Sequence, residues 1–297
     1  MGCGCGSAPC HEAEHLGLLA LSFRECVAAT KGSDNFLPSI SIVTPSFNQA
    51  EFIERTLDSV LSQSYPNLEY IVVDGGSTDG SVEIIRKYEK HLAWWVSEPD
   101  RGQAHAINKG LMRATGDWVG WQNSDDVYLP GALQLAGQTM SGQPALGVVA
   151  GGLHMIDSSG RLLRELRYVT PTWRSMRAEG MVIANQSSWW RRELHQAVGL
   201  LDESLACSFD YDWFLRLLRH AKAAYIDRAL GGLRMHAATK TVTLAAQHAR
   251  EYQSVIERWG RPSVLERRYF QARRALKTII NGHPGYVIRG ARDRWRQ

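Results

Sequence analysis

The sequence has few cysteines, no long apolar run and no strong excess of charge. Its five cysteines are an odd number, with Cys3, Cys5 and Cys10 close together, which argues against a disulfide framework. No stretch approaches the roughly 20 apolar residues needed to cross a bilayer. The net charge of +4 is mild and the positive residues gather between Arg258 and Arg296. We therefore expect no binding to nucleic acid.

The first residues carry no recognisable targeting signal. The apolar run from Leu16 to Phe23 is too short for a secretory signal, and Gly6 stands where an N-myristoylation site needs Ser or Thr. We therefore expect a cytoplasmic protein. Zinc binding is an alternative to a disordered tail, although the spacing of the candidate ligands fits no standard zinc motif; they are Cys3, Cys5, Cys10, His11 and His15.

From Ile40 onward, short apolar runs alternate with helical patterns. The runs at Ile40–Thr44, Leu68–Val73 and Ala93–Val96 each precede a polar loop and a helix, and a fourth run follows Gly116. This order predicts an α/β fold with an open, mostly parallel sheet flanked by helices. We divide the chain into a tail with a short helix (1–38), a main domain (39–241) with halves at 39–130 and 131–241, and a basic helical C-terminal extension (242–297).

Acidic residues follow several predicted strands. Asp74 and Asp100 follow the second and third strands, and Asp125 and Asp126 follow the fourth. Ligands of open α/β sheets bind outside the carboxyl ends of the strands, so these carboxylates predict one shared cleft. Gly75–Gly80 matches neither a dinucleotide fingerprint nor a phosphate-binding Walker loop. An acidic pocket binds a diphosphate through a divalent cation, so we expect Mg²⁺ or Mn²⁺ at Asp126, with Asp125 as a further candidate.

The motifs, taken in order and spacing, resemble those of family 2 glycosyltransferases, which have the GT-A fold. The resemblance covers about Ser39 to Thr241 and is carried by four segments: Ile40–Asn48, Val72–Gly80, Asn108–Asp117 and Asn123–Asp126. It implies a nucleotide-sugar donor (UDP-, dTDP- or GDP-linked), a divalent metal and inversion at the anomeric carbon. The half at 39–130 then becomes the nucleotide-sugar-binding half and the half at 131–241 the acceptor-binding half.

The resemblance also implies roles for individual residues. Asp126 falls on the metal ligand, Asp74 on the base-recognising aspartate and Asp210 on the catalytic base, while His236 can reach the metal or the diphosphate. The family's glutamate before the base is Phe209 here, and nearby Asp212 is a second candidate base. The full donor-binding prediction is Thr44, Pro45, Asn48, Asp74, Gly76, Asp100, Gln103, Asn108, Asn123 and Asp125.

Acceptor contacts are expected around Asn185, Gln186, Trp189 and Trp190, because aromatic faces stack on sugars. Adjacent residues of a strand point to opposite faces, so one of the two tryptophans is expected in the core. Asp210 should accept the proton of the acceptor hydroxyl. Because a nearby cation lowers a carboxyl pKa, we expect Asp210 to be a weak base.

Ordinary structural roles compete with several of these predictions. Asp125 and Asp126 could cap the following helix, and Asp210 could cap its own helix. Asp74 could stabilise a turn through hydrogen bonds to the backbone, and His236 could be a solvated loop residue. The basic extension could be a solvated face or could lie on an anionic membrane. The latter would place the protein at the inner face of the membrane and suit a lipid-linked or glycan acceptor.

The predicted function is metal-dependent transfer of a sugar to an acceptor hydroxyl, in polysaccharide or glycolipid biosynthesis. A sugar nucleotidyltransferase is the first alternative, but the loop after the first strand lacks the glycine-rich, basic character such an enzyme needs. A non-catalytic nucleotide-sugar-binding module is the second alternative. It is considered because Phe209 stands where the family has a glutamate.

Overall fold

The parallel half of the sheet comes from the first hundred described residues. The computed structural model describes residues 37–237 and 239–295, so the helix predicted in the tail and the candidate zinc ligands lie outside the described residues. Strands and helices alternate as follows: β1 Ile40–Ser46, α1 Ile53–Leu61, β2 Leu68–Asp74, α2 Ser81–Lys87, β3 Trp94–Ser97, α3 Gln103–Arg113 and β4 Trp118–Trp121. A 3₁₀ turn at Glu89–His91 precedes β3.

These four strands lie side by side in the order β3, β2, β1, β4, and all three pairings are parallel. β1 is buried along its whole length, as expected for a central strand covered on both faces. Helix α3 packs closely on it, because a side chain at Gly110 would overlap Val43. The polar loops after β1, β2 and β4 therefore come together at one edge of the sheet.

The second half extends the sheet with a different geometry. Its elements are β5 Val127–Tyr128, α4 Ala132–Gly142, β6 Val148–Ile156, β7 Leu162–Leu166, α5 Trp173–Glu179, a 3₁₀ turn Asn185–Ser187, β8 Ser188–Arg191, α6 Arg192–Val198, α7 Phe209–His220 and β9 Ala223–Arg234. β4 pairs with β8, β8 with β6, β6 with β7 and β5 with β9, all antiparallel. Only β6 and β9 pair in parallel. The parallel character predicted for the sheet is thus concentrated in its first half.

Helices alone follow β9, as the sequence predicts. They are α8 Lys240–Thr243, α9 Ala245–Trp259, α10 Val264–Ile280 and α11 Pro284–Trp295. α9 packs against α7, and α10 packs against α5 and α11. Within the described ranges, no helix is both long and apolar enough to span a membrane.

The core lies on both faces of the sheet, and β8 shows how. Trp189 stacks on Tyr128 on one face, with ring centroids 5.5 Å apart, and Trp190 packs against Trp121 and Trp213 on the other. Both tryptophans are fully buried. The prediction that they contact the acceptor is therefore wrong: both faces of this strand are covered, so neither ring is available to a ligand.

Candidate active site

One cavity of about 640 Å³ lies at the carboxyl ends of the parallel strands. Its walls combine the loops after β1, β2, β3 and β4 with the segment around the 3₁₀ turn, the start of α7 and parts of α8 and α9. Eight of the predicted site residues line it: Pro45, Asp100, Gln103, Asn123, Asp125, Asp126, Gln186 and Asp210. The predicted cleft therefore exists, although its lining differs from the predicted list.

Asp74 is buried beneath the cavity and does not line it. Its carboxylate accepts four hydrogen bonds, from the backbone N–H groups of Gly76 and Ser77 at 3.1 and 2.8 Å and from the hydroxyls of Ser77 and Ser97 at 2.5 and 2.7 Å. A carboxylate engaged in this way shapes the loop after β2 and is not free to recognise a base. The donor-binding role predicted for Asp74 is thus not supported, and Gly76, in its turn at φ 83°, serves the same loop.

Asp100 is the acid that faces the cavity from this side. One of its oxygens accepts the Gly102 N–H at 2.7 Å, which leaves the second oxygen toward Gly75. A Cβ at Gly75 would lie 2.6 Å from that oxygen and 3.2 Å from the Phe47 ring. The missing side chain at Gly75 therefore makes room for the Asp100 carboxylate.

Three further donor-binding predictions fall on residues that join loops. Thr44 is buried with its hydroxyl 3.0 Å from that of Tyr70. The Asn48 side chain accepts the Thr78 N–H at 3.0 Å. Asn108 is buried and its amide pairs with both backbone groups of Leu201, at 2.9 and 3.0 Å. None of the three lines the cavity. Each of these side chains has an internal partner, so the structure gives no support to a donor-binding role for them, and these roles stay predictions.

The two adjacent aspartates after β4 have different environments. Asp126 is almost fully buried and accepts three hydrogen bonds, from the Arg234 N–H at 2.8 Å, the Gln186 amide at 2.8 Å and the Asn123 amide at 2.9 Å. Burial, followed by the charge of Asp125, raises the pKa of Asp126 far above its ordinary value. Asp126 thus ties the acidic loop to β9 and to the 3₁₀ turn at Asn185–Ser187.

Asp125 is less buried and lies beside the predicted histidine. One carboxylate oxygen of Asp125 is 3.1 Å from Nε2 of His236, whose ring packs on Phe52 with centroids 4.6 Å apart. Among the described residues, no group of three or more His, Cys, Asp or Glu side chains is placed to hold a metal ion. A site with one carboxylate still fits Mg²⁺ or Mn²⁺ when substrate phosphates supply the other oxygens. Asp125, with His236 beside it, meets that requirement better than Asp126.

Asp210 also lines the cavity, from the first turn of α7. Ser208, not Asp210, is the N-cap residue, and the Glu251 carboxylate accepts the N–H groups of Ala206, Cys207 and Ser208 at 2.8 to 3.0 Å. Among the described residues, the one hydrogen bond found for the Asp210 carboxylate is from the Tyr211 N–H, at 2.7 Å. Glu251 thus satisfies the donors before the helix and leaves Asp210 available to the cavity.

Burial raises the pKa of Asp210 to about 6, with the Tyr211 N–H and His248 opposing the shift. At this carboxyl desolvation outweighs the nearby positive charge of His248. A pKa in this range makes a better general base at neutral pH than an ordinary aspartate. The low pKa expected beside a bound cation stays a prediction.

The carboxylate of Asp212, the alternative base, is occupied by internal hydrogen bonds. It is buried, and it accepts hydrogen bonds from Arg216 at 2.9 Å, Trp259 at 3.0 Å and Arg258 at 3.3 Å. Phe209, which stands at the position of the family glutamate, lines the cavity with its ring 6.4 Å from that of Trp121. One acid of the pair expected from the family is thus replaced by an apolar wall.

Lys240 and His248 line the cavity from α8 and α9 and are absent from the predicted site. Asn185, expected near the acceptor, lines it with a buried side-chain amide nitrogen that has no hydrogen-bond partner among the described residues. Lys240 is four residues past His236, so proximity in sequence could have suggested it. His248 gives no such signal, since the packing of α9 on α7 alone brings it to the site.

The family model for "Glycosyl transferase family 2" matches residues 41–199, more than half of the chain. The chain belongs to glycosyl transferase family 2. An uncharacterized glycosyltransferase of Mycobacterium tuberculosis (strain H37Rv) is 29% identical over 254 residues, which cover 84% of this chain and 93% of that protein. The chain is therefore a glycosyltransferase, which excludes the nucleotidyltransferase alternative.

Two further similarities are to a longer relative and to a solved structure. The hyaluronan synthase of Pasteurella multocida is 26% identical over 208 residues, 69% of this chain but only 21% of that protein. The mannosyltransferase PcManGT of Pyrobaculum calidifontis, solved with GDP-Man and Mn²⁺, superposes with a TM-score of 0.59 at 22% identity. The match covers 80% of this chain and 69% of that one, and confirms the GT-A fold.

Proposed function

We propose that this glycosyltransferase moves a sugar from a nucleotide-sugar donor to an acceptor hydroxyl with inversion at the anomeric carbon, assisted by Mg²⁺ or Mn²⁺. The observation that carries the proposal is that Asp125 and Asp210, from the two halves of the sheet, line one cavity. A diphosphate held on the Asp125 side and a base on the Asp210 side allow attack from the face opposite the leaving group.

The donor would occupy the wall built by the first half of the chain. Asp100, Gln103 and Asn123 present a carboxylate and two amides there, and the Gln103 amide donates to Asn123 at 2.9 Å. Carboxylates and amides accept hydrogen bonds from ribose hydroxyls and base N–H groups. UDP-, dTDP- and GDP-linked sugars all carry such hydroxyl and N–H groups, so the proposal covers all three.

The charge of the diphosphate requires a cation in this acidic cavity. Asp125 and His236 would hold the metal, which when bound supplies positive charge to the leaving diphosphate. Among the described residues, Lys240 is the only Lys or Arg that lines the cavity. Its pKa is lowered by burial, opposed by Cys207, Asp100 and Asp125. Lys240 would add a second, fixed positive charge near the same group.

Asp210 would serve as the base. Its free carboxylate oxygen takes the proton of the acceptor hydroxyl while that oxygen bonds to the anomeric carbon. The bond from this carbon to the diphosphate oxygen breaks, and the leaving nucleoside diphosphate keeps the electron pair. The unpaired amide of Asn185 is available to orient a sugar hydroxyl beside the base.

The acceptor would be a lipid-linked intermediate or growing glycan at the inner face of a membrane. Helix α10 exposes an apolar stripe with helical spacing, formed by Leu265, Tyr269, Leu276 and Ile280, each more than half exposed. Arg268 and Lys277 flank the stripe and are also exposed. An exposed apolar stripe bordered by cations matches an anionic membrane surface. This supports a peripheral cytoplasmic location.

The experiment that tests the proposed function is a panel of nucleotide sugars measured by thermal stabilisation with and without Mn²⁺. A true donor should raise the melting temperature in a metal-dependent way, by the linkage between binding and folding. The stabilising donor is then assayed for release of its nucleotide. A panel without any stabilising donor, or stabilisation without turnover in the presence of acceptor extracts, would contradict the proposal.

A further inference from the structure

A second cavity of about 390 Å³ lies next to the active site and has a basic character. It is formed by α5, α9, the turn after α9 and α10, and its charged lining residues are Arg177, Glu179, Arg261 and Arg267. Gln253 and Gln271 add neutral donors. None of these residues belongs to the site described above.

The positive charges of this cavity are only partly compensated. Arg177 is paired with Glu266, and Glu179 with Arg274 at 2.7 Å. Within the part of the chain that the structure describes, the one ion pair of Arg261 is an exposed one with Glu257, a kind that contributes little to stability. For Arg267, no ion pair is found within the described residues, and its side chain is exposed. Two guanidinium groups are therefore available to an anion.

The second cavity shares two walls with the catalytic cavity. On α9, His248 lines the catalytic cavity, and Tyr252, one turn later, lines the second, with the two rings 6.3 Å apart. After α5, Met181 lines the first cavity while Arg177 lines the second. Tyr252 also stacks on Tyr211, the neighbour of the base Asp210, with centroids 4.8 Å apart. A ligand group in the second cavity would thus be close to the acceptor side of the active site.

We propose that the second cavity binds a phosphate or diphosphate group carried by the acceptor. Arginine presents its N–H donors in a fixed fork that matches phosphate oxygens, and the glutamine amides can complete such a shell. The inference rests on the proposed function, because the phosphate is assigned to the acceptor on account of its position beside Asp210. Helix α10 contributes Arg267 to the second cavity and carries the exposed apolar stripe on its surface. The phosphate could belong to a lipid-linked acceptor or to a water-soluble one, and the experiment distinguishes these two sources.

The experiment is calorimetric titration of the full chain with inorganic pyrophosphate, at low salt and with EDTA to remove divalent ions. The cavity variant is Arg261→Gln/Arg267→Gln, and the control is Arg268→Gln/Lys277→Gln, which removes the same charge from exposed positions outside the cavity. All four side chains are exposed, so folding should be preserved and is checked by thermal unfolding.

We expect the cavity variant to lose at least tenfold in pyrophosphate affinity, about the effect of one charge-assisted hydrogen bond, and the control to change it less than about threefold by the loss of long-range charge alone. The absence of binding to the unmodified protein, or an equal loss in both variants, would overturn the proposal. The titration uses no nucleotide sugar and no metal, so its outcome is independent of whether donor turnover is found.

Titration with farnesyl diphosphate, below its micellar concentration, identifies the source of the phosphate. Tighter binding than for pyrophosphate, again lost in the cavity variant, assigns a lipid-linked acceptor. Equal affinity assigns a water-soluble phosphorylated acceptor. Farnesyl diphosphate binding that persists in the cavity variant counts against the site, because the diphosphate would then be held elsewhere.

Discussion

The two halves of the sheet differ in what their polar residues do. In the first half, Asp74, Asn48 and Asn108 use their side chains to hold loops in place. In the second half, Asp210 and Asn185 keep free polar atoms at the cavity. Motif residues that build the donor side are thus mostly structural, while the chemistry depends on a few groups that the fold leaves without internal partners. Paired variants can test this contrast.

The largest effect is expected from Asp210→Asn. Loss of the base should lower the transfer rate by roughly 10²- to 10⁴-fold, with donor affinity unchanged because the proposed donor contacts come from other residues. Initial rates and calorimetric donor affinity are the two measurements. Asp212→Asn is the comparison: it should lower stability through the lost buried contacts to Arg216 and Trp259. Full transfer activity in Asp210→Asn would remove the assigned base.

The next largest effects should distinguish the two adjacent aspartates, Asp125 and Asp126. Asp125→Asn is expected to weaken Mn²⁺-dependent donor binding by roughly 10- to 100-fold, the range found for altered metal sites. Asp126→Asn should chiefly lower the free energy of unfolding, by about 1–3 kcal/mol, because one of the buried donors loses its oxygen acceptor. Donor calorimetry with Mn²⁺ and chemical denaturation distinguish the two. If Asp126→Asn alone abolished the metal dependence at unchanged stability, the metal ligand would be Asp126, as the family resemblance implies.

On the donor wall, Asp100 and Asp74 should behave in opposite ways. Asp100→Asn removes a charge that faces the cavity and is expected to weaken donor binding about tenfold, the value of one hydrogen bond to a charged group. Asp74→Asn should leave that affinity nearly intact and lower the melting temperature instead. Donor titrations and thermal unfolding of both variants provide the test. Equal losses of affinity would mean that the buried carboxylate contacts the donor after all.

The pH dependence reports on the base. An aspartate accepts a proton only when ionised, and the pKa of Asp210 is raised to about 6. Activity should therefore be constant above pH 7 and fall about tenfold per pH unit well below pH 6. The profile of kcat/KM against pH at constant ionic strength measures this. A plateau that continues down to pH 4.5 would mean that the carboxyl retains the ordinary aspartate pKa.

The smallest effect is expected at the surface of α10. Leu265→Glu/Leu276→Glu places charges in the apolar stripe and should reduce cosedimentation with phosphatidylglycerol vesicles about three- to tenfold, given the loss of two inserting side chains. Leu162→Glu, at a leucine that is also about half exposed but lies on β7, is the matched control. Equal sedimentation of all three proteins would exclude α10 as the membrane-binding face.

Much of the first half could be predicted from the sequence. The predicted strands at Ile40–Thr44 and Leu68–Val73 agree with β1 and β2 to within two residues, because continuous apolar runs followed by glycine and proline leave few alternatives. The second half was less predictable. Two-residue β5, helix α5 and the last eight residues of β9 have no strong periodic pattern, and their positions depend on long-range pairing.

The family, the alternating architecture and the acids at strand ends could all be predicted from the amino-acid sequence, since they depend on local patterns. Which of these acids keep a carboxylate available in the cavity depends on the fold. Asp74 does not line the cavity and Asp126 lines it with its oxygens held by internal donors, whereas Asp100, Asp125 and Asp210 line it with fewer such donors. The reason is physical: a carboxylate's role depends on the hydrogen-bond donors and the burial around it, and those come from residues distant in the chain.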